Sequence, residues 1–353
     1  MKKCISLLLL VFFTASFSFS VDLNGFATDF EALMNNVTRK ISPALQMNSL
    51  SGNIIGDATI DKFVFTFPAI GISTSDGIAS ILEPGAYEWS LISFPELIES
   101  QLGLEDSDLD IMNMIETRLM VYPSIKIGFG FALPKNFDVI MTGMVIPGAA
   151  VSKVIETAVD TSKDLDISFG FLNFGIEARK TIIKDSRKTP ALSLGLLYNY
   201  EGFNLGSNQF SLSGLTGEKM DIEGEELELE GILAFDTRVH NFGGTVHLSK
   251  HLLFFTPYIK LSGIWQHSVA NNTTDLTVTI ASDKTNIKTN PEIIINQFST
   301  IVTTGFDIDI FAFKFNINAM IDLARFDLDL GGFDFGVMKG RGFSLNTGFR
   351  LQF

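Results

Sequence analysis

Thiols are all but missing from this chain: Cys4 is the single cysteine in 353 residues, and none remains once an N-terminal leader is removed. Disulfides, a thiolate zinc centre and a catalytic thiol are thereby excluded. Basic residues are also short, 26 Lys and Arg against 40 Asp and Glu, for a formal charge of -14. Such a balance repels nucleic acid and anionic surfaces. No stretch beyond Val21 approaches the roughly 20 apolar residues of a membrane-spanning helix. Pro (10) and Gly (30) are too few for a collagenous or low-complexity chain. Trp (2) and Tyr (5) are sparse, but Phe is not. Its 33 residues, within a 46% hydrophobic total, are enough to cover a large apolar surface and to exclude disorder.

The N-terminus reads as an address. Lys2 and Lys3 form a positive region, residues 5–13 an apolar one, and Ser18-Phe19-Ser20 places small residues where a signal peptidase looks. Cleavage is expected before Val21. Cys4 precedes the apolar run and so is not the lipid-accepting cysteine of a lipoprotein. The chain divides into a signal peptide (1–20), an N-terminal helical plug or periplasmic segment (21–60) and a β-rich remainder (61–353).

Periodicity decides the class of that remainder. At the C-terminus Phe343, Leu345, Thr347, Phe349, Leu351 and Phe353 share one face, and Ser344, Asn346, Gly348, Arg350 and Gln352 the other. The same period of two recurs in Ile125, Ile127, Phe129, Phe131 and Leu133, in Leu192 to Tyr200, and in Pro257, Ile259, Leu261, Gly263 and Trp265. Segments of about ten residues with apolar side chains alternating with small or polar ones are those of a transmembrane β-barrel.

Connection lengths agree, because bacterial barrels turn tightly on the periplasmic side and loop widely outside. Counting back from Phe353, residues 325–340 form a long connection, the phase flip between Ile310 and Phe311 a short one, 267–291 a long one and 249–251 a short one. Residues 203–236, 184–188, 147–164 and 134–136 continue the alternation. About ten strands follow, beginning with residues 63–74, and residues 210–215 and 228–235 are candidates for extra strands inside one long loop. The expectation is an all-β, antiparallel transmembrane barrel of 10–14 strands with an N-terminal helical plug, which satisfies every backbone group without water. Tyr122, Tyr198, Tyr200, Phe254, Phe255 and Trp265 lie toward segment ends, where aromatic girdles form.

The last seven residues, TGFRLQF, resemble the C-terminal insertion motif of bacterial outer-membrane barrels, with Thr347, Gly348, Leu351 and Phe353 in its defining places. That resemblance implies an outer-membrane location in a diderm bacterium, outer-membrane lipid as a neighbour, and recognition of this strand by the barrel assembly machinery. In outline, with stretches such as residues 121–131 and 249–263, the chain is similar to barrels near the long-chain fatty-acid-transporter (FadL-like) type. There, an N-terminal segment plugs the lumen and a strand kink opens a lateral exit for a hydrophobic small-molecule substrate. Ser42-Pro43-Ala44 departs from that family's Asn-Pro-Ala hatch element at its first residue.

The N-terminal segment carries its own stripe. Leu23, Phe26, Ala27, Phe30, Leu33, Met34, Val37 and Ile41 recur at three- and four-residue steps on a helix that Pro43 would stop. A stripe of this size packs on something, either the barrel lumen and its periplasmic mouth, or a partner or membrane surface. A second helix is signalled by Ser93, Pro95, Glu96 and Gly103. The change of phase around Phe171, Leu172, Asn173 and Phe174 marks a candidate strand kink.

Chemistry is thin. His240, His247, His251 and His267 lack the paired spacing of a metal site, Ser249 beside His251 has no oxyanion element near it, and Asp106, Asp108 and Asp110 lack the glycine and glutamate of a calcium loop. The acidic run 223–230 reads as a solvated outer loop. No catalytic residue, metal site or cofactor is assigned and no enzyme is expected. Two functions stay open: a channel or transporter for small or hydrophobic molecules, fatty acids among them, or a structural, adhesive barrel with binding loops.

Overall fold

A computed structural model describes residues 45–52, 55–76, 119–146, 167–211, 220–222, 225–280, 283–311, 313–323 and 342–353. In chain order the strands are β1 (Phe63–Asp76), β2 (Leu119–Leu133), β3 (Phe137–Ile146), β4 (Ile167–Ile183), β5 (Ala191–Ser211), β6 (Met220–Ile222), β7 (Glu225–Ser249), β8 (Phe255–Ile280), β9 (Asp283–Thr289), β10 (Glu292–Ile310), β11 (Phe313–Asp322) and β12 (Phe343–Gln352).

Every pairing is antiparallel, and ten of the strands close into a ring. Each pairs with the next in the order β1, β2, β3, β4, β5, β7, β8, β10, β11, β12, and β12 returns to β1. The terminal residue itself seals the seam: Phe353 N donates to Phe63 O at 2.9 Å, and Phe63 N to Phe353 O at 3.2 Å. The two remaining strands are short extensions, β6 on the tip of β7 and β9 on the tip of β8. The ring lies at the lower bound of the expected 10–14 strands.

Polarity is inverted relative to a soluble protein. On β12, Ser344, Asn346 and Arg350 are buried, whereas Leu345, Phe349 and Phe353 are 50%, 48% and 61% exposed. On β8, Thr256, Ser262, Gln266 and Ser268 are buried, and Ile259, Leu261 and Trp265 face out. Apolar side chains on this scale, ringing a closed sheet whose interior is polar, need lipid as their neighbour. The chain is therefore a transmembrane β-barrel.

Strand length is unequal around the ring. β11 and β12 have 10 residues each, about what a crossing needs, but β7 and β8 have 25 and 26. At about 3.3 Å per residue, β7 is on the order of 80 Å long. The wall formed by β5, β7, β8 and β9 therefore rises well beyond the bilayer. Residues 267–291 belong mostly to this wall, not to a loop, and the segments 210–215 and 228–235, expected as separate strands, include continuations of β5 and β7. Polar composition misleads there because a strand leaving the membrane needs no apolar face.

The candidate kink is corrected. Through Phe171, Leu172, Asn173 and Phe174 the ladders to β3 and β5 run without a break. The apparent change of phase arises because Phe171 points into the lumen, where it is buried, while Leu172 and Phe174 face lipid. The wall is irregular elsewhere: between Thr66 and Ala69, β1 holds one residue more than either neighbour, so Phe67 and Pro68 form a bulge against both β2 and β12.

Candidate functional site

The lumen is occupied by the chain's own N-terminal segment. Residues 45–50 are helical and residues 55–60 form no regular element, and Leu45, Met47, Ile55, Ala58 and Ile60 are all buried. Met47 packs with Leu197, Ile264, Ile301 and Met320 from the inner faces of β5, β8, β10 and β11. Ile55 and Ile60 pack with Val64 and Ile140. Contacts with so many different strands place this segment inside the ring, consistent with the expected plug. The helical turns lie just beyond Pro43, where the sequence reading ends its helix. The stripe residues Phe26, Phe30, Leu33, Met34, Val37 and Ile41 are outside the described residues, as are Ser42-Pro43-Ala44, residues 93–103 and the Asp106–Asp110 stretch.

Three polar clamps hold the segment. The first is Lys126 on β2, whose Nζ donates to the backbone oxygens of Asn48 (2.5 Å), Ser49 (2.9 Å) and Ser51 (2.8 Å). These are the orphan carbonyls of a helix end, and a cation is their favoured partner. Gly52 follows at φ 84°, and a Cβ there would meet the Lys126 side chain at 2.6 Å. Glycine lets the chain turn over the lysine. Ser51 Oγ adds a bond to Ser124 Oγ at 2.8 Å, and Asn241 Nδ2 donates to Ser49 Oγ at 2.7 Å.

The second clamp centres on Asp57, whose Oδ2 accepts from Lys314 Nζ (2.9 Å) and Arg350 Nη2 (2.8 Å). Arg350 also forks onto Asp307 at 2.8 and 2.5 Å, and Asn316 links Asp307 (2.5 Å) to the Tyr258 hydroxyl (3.0 Å). The third is Arg179, bidentate to Asp138 at 2.8 and 3.0 Å, with Nη1 donating to Asp57 O at 3.0 Å and to His247 Nδ1 at 3.0 Å. An arginine donating to Nδ1 leaves the proton of a neutral imidazole on Nε2, which lies 3.0 Å from Gly56 O and donates to it. Ile60 N bonds Asp138 Oδ2 (3.1 Å), and Ala58 N bonds Ser249 Oγ (2.8 Å). Beside these, Glu177 accepts from Lys260 Nζ at 2.7 Å and Thr245 Oγ1 at 2.8 Å.

Opposite charges face each other throughout, so few of these buried ions stand alone. Beside the segment lies a cavity of about 40 Å³ lined by Leu50, Ile55, Glu177, Leu197, Tyr258 and Lys260 among others, room for a few waters.

The insertion-motif residues lie on the closing strand of the ring. Leu351 and Phe353 lie on the lipid face, Gly348 stands between Ala69 and Asn316 in its two ladders, and Thr347 Oγ1 donates to Asn316 O at 3.0 Å. Asn173, placed in the supposed kink, instead donates to Glu201 Oε2 at 3.0 Å inside the lumen. Ser249 and His251 diverge, Ser249 to the plug backbone and His251 to Thr256 Oγ1 at 3.0 Å on the periplasmic rim. His247 faces the lumen, and among the described residues no group of three or more His, Cys, Asp and Glu has metal-binding geometry.

The sequence reading missed the clamps themselves. Their signal was present: Lys126, Asp138, Glu177, Arg179, Lys260, Asp307, Lys314 and Arg350 are ionisable residues at membrane depth, in the inward phase of strands, and such residues mark function or a buried partner by default.

Neither a protein-family model nor a curated protein matches the sequence. Among solved structures, the chain is similar to the outer membrane protease OmpT of Escherichia coli, at 9% identity and TM-score 0.36, covering 84% of this chain and 98% of that one. It is also similar to the toluene transporter TbuX of Ralstonia pickettii (9% identity, TM-score 0.26, 88% and 93% covered) and to a FadL homologue of Pseudomonas aeruginosa (9% identity, TM-score 0.25, 80% and 79% covered). These neighbours are outer-membrane barrels with different activities, and at such scores none of them lends its own to this chain.

Proposed function

We propose that the protein is a plugged conduit that admits small polar molecules across the outer membrane when its N-terminal segment is released. The observation that carries this reading is the way the segment is held. Residues 45–52 and 55–60 are gripped by buried ion pairs and hydrogen bonds to the wall, beside two small apolar clusters around Met47 and around Ile55 and Ile60. Such contacts are exchangeable with water or with a polar cargo, since each is strong only while desolvated. A fatty acid suits the described lumen less well, because Ser, Thr, Asn and Gln side chains line it and an acyl chain would leave them unpaired. The bulge at Phe67-Pro68 is the feature that favours hydrophobic cargo, as a break in the wall beside the plug.

A second reading, an adhesive barrel, draws on the wall of β5, β7, β8 and β9 that stands above the bilayer. Under either reading, outer-membrane lipid and the assembly machinery that reads Thr347, Gly348, Leu351 and Phe353 are the proposed partners. Single-channel conductance in planar bilayers tests the choice, using the chain without its leader and the same chain lacking residues 21–60. Conductance that rises on deletion supports the plugged conduit. Silence in both, with heat-modifiable migration proving the barrels folded, leaves the adhesive reading.

A further inference from the structure

We propose that the outer face of β4, β5 and β7 binds the phosphorylated headgroup of an outer-leaflet glycolipid, in a groove at the upper edge of the apolar band. Depth comes first. From Ser249 at the lower end of β7 to His240 is nine residues, about 23 Å along the axis for strands tilted by about 40°, against an apolar band about 25 Å tall. The outward residues below that level are Tyr198, Phe242, Trp265 and Phe298, cross-strand neighbours that form an aromatic girdle. Those immediately above are Tyr200, His240, His267 and Asn296, again neighbours in one row. This is where hydrocarbon gives way to headgroups.

The row is built of hydrogen-bonding groups arranged in series. Tyr198 Oη lies 3.0 Å from His240 Nδ1, and His267 Nδ1 lies 2.8 Å from Asn296 Oδ1. Where the Tyr198 hydroxyl donates to His240 Nδ1, that ring's proton sits on Nε2, and the two imidazole centroids stand 6.4 Å apart. The Tyr200 ring lies tilted against His240, with ring centroids 5.1 Å apart.

Beside them lies a groove of about 320 Å³, lined by Gly170, Leu172, Tyr200, Gly202, Asn204 and Arg238, with Asp236 at its rim. It exists because Gly170 and Gly202 present no side chain between Leu172, Tyr200 and Asn204. Arg238 is paired with Asp236 through Nε at 3.2 Å, and its side chain remains 58% exposed, so its terminal nitrogens stay accessible. A guanidinium, imidazoles and a phenol around an apolar-walled groove match a phosphate attached to a lipid. The chain has a formal charge of -14, but in this patch the Arg238 guanidinium is matched by a single carboxylate, Asp236, so it carries no excess negative charge to repel an anionic lipid.

The test is affinity of the full chain without its leader, refolded in a neutral detergent, for bisphosphorylated lipid A. Binding is read by native mass spectrometry and by the shift in unfolding temperature. Tight binding is expected to fall at least tenfold in the triple variant R238E/H240A/H267A, with heat-modifiable migration unchanged. Lipid A stripped of both phosphates, and phosphatidylglycerol, are expected to bind far more weakly. Equal binding of the stripped lipid or of phosphatidylglycerol, displacement of lipid A by millimolar inorganic phosphate, or an unaltered affinity in the folded variant would each overturn the proposal. A single variant, R238Q, guards against misfolding of the triple and is expected to show a smaller loss in the same direction.

Discussion

Lys126→Met isolates the first clamp. The substitution keeps the length and most of the volume of the stem and removes three donors from the carbonyls of Asn48, Ser49 and Ser51. A hydrogen bond from a charged donor is worth about 1.5–3 kcal/mol, and breaking a buried charged contact on one side costs about 3–5 kcal/mol. Against this, the wild-type protein pays to keep a lysine fully desolvated, and methionine does not. The net weakening of plug docking is therefore about 2–4 kcal/mol, and at about 1.4 kcal/mol per tenfold the undocked population rises about 30- to 1,000-fold. Glu201, the electrostatic partner of Lys126, would keep its hydrogen bond from Asn173 but lose its counter-charge, so K126M/E201Q is the matched companion. Hydrogen exchange read by mass spectrometry is the assay, with peptides covering residues 45–52 compared against peptides from β7 and β8. Faster exchange confined to the plug, together with more frequent channel openings, is expected. If residues 45–52 exchange as slowly in K126M as in the parent while the barrel remains heat-modifiable, the lysine is not a clamp.

Leu261 faces lipid midway along the membrane-crossing part of β8, between Phe255 and Trp265, and L261R is expected to cost about 2–4 kcal/mol, read as a shift in urea unfolding of the protein in lipid vesicles. Asp138→Ala strands the buried Arg179 guanidinium and releases Ile60 N, so a loss of about 3–5 kcal/mol and a lower unfolding temperature are expected. At the periplasmic rim, partial burial would raise the Asp185 carboxyl, but hydrogen bonds from Lys250 Nζ and His251 N and the charge of Lys250 outweigh it and hold the group below its usual 3.8. A depressed carboxyl stabilises the turn above the unfolded value and releases it as pH falls through the folded one. Protection of amides 184–190 should accordingly persist at pH 5 and fade below pH 4, and fading that begins near neutrality would contradict the assignment.

How much of this was legible in sequence depends on which neighbour a residue has. Phe349, Leu345 and Leu261 announce themselves because lipid imposes a one-residue rule, apolar outward, on every strand that crosses it. Connection lengths were equally readable, since Pro134-Lys135-Asn136 and the reversal at Phe311 permit nothing but a tight turn; Lys135, Asn136 and Phe311 all adopt positive φ. Above the bilayer the rule lapses. Residues 271–275 of β8, NNTTD, are polar with no alternation, and their strand character comes from pairing with β7, which no local pattern reports; only beyond them, in Leu276, Val278 and Ile280, does a period of two return. Phe171 misled for the converse reason, as an aromatic side chain turned inward where the lumen had room for it.

The clamps were illegible for a more basic reason. Asp57 lies in an unremarkable polar stretch, and its partners Lys314 and Arg350 follow 257 and 293 residues later. Only closure of the ring brings β11 and β12 round to the strand that Asp57 precedes. A residue whose partner is fixed by closure carries no spacing signal, but it does carry a cost. An arginine or aspartate set in the inward phase of a transmembrane strand must find an opposite charge or water. Seven inward charged positions across β3, β4, β8, β10, β11 and β12, namely Asp138, Glu177, Arg179, Lys260, Asp307, Lys314 and Arg350, are more than a small lumen can leave wet, so they imply either a wide channel or a filled one. Ten strands are too few for a wide channel. The filling of the lumen by the chain's own segment thus follows from strand count and inward charge taken together, before any individual contact is known.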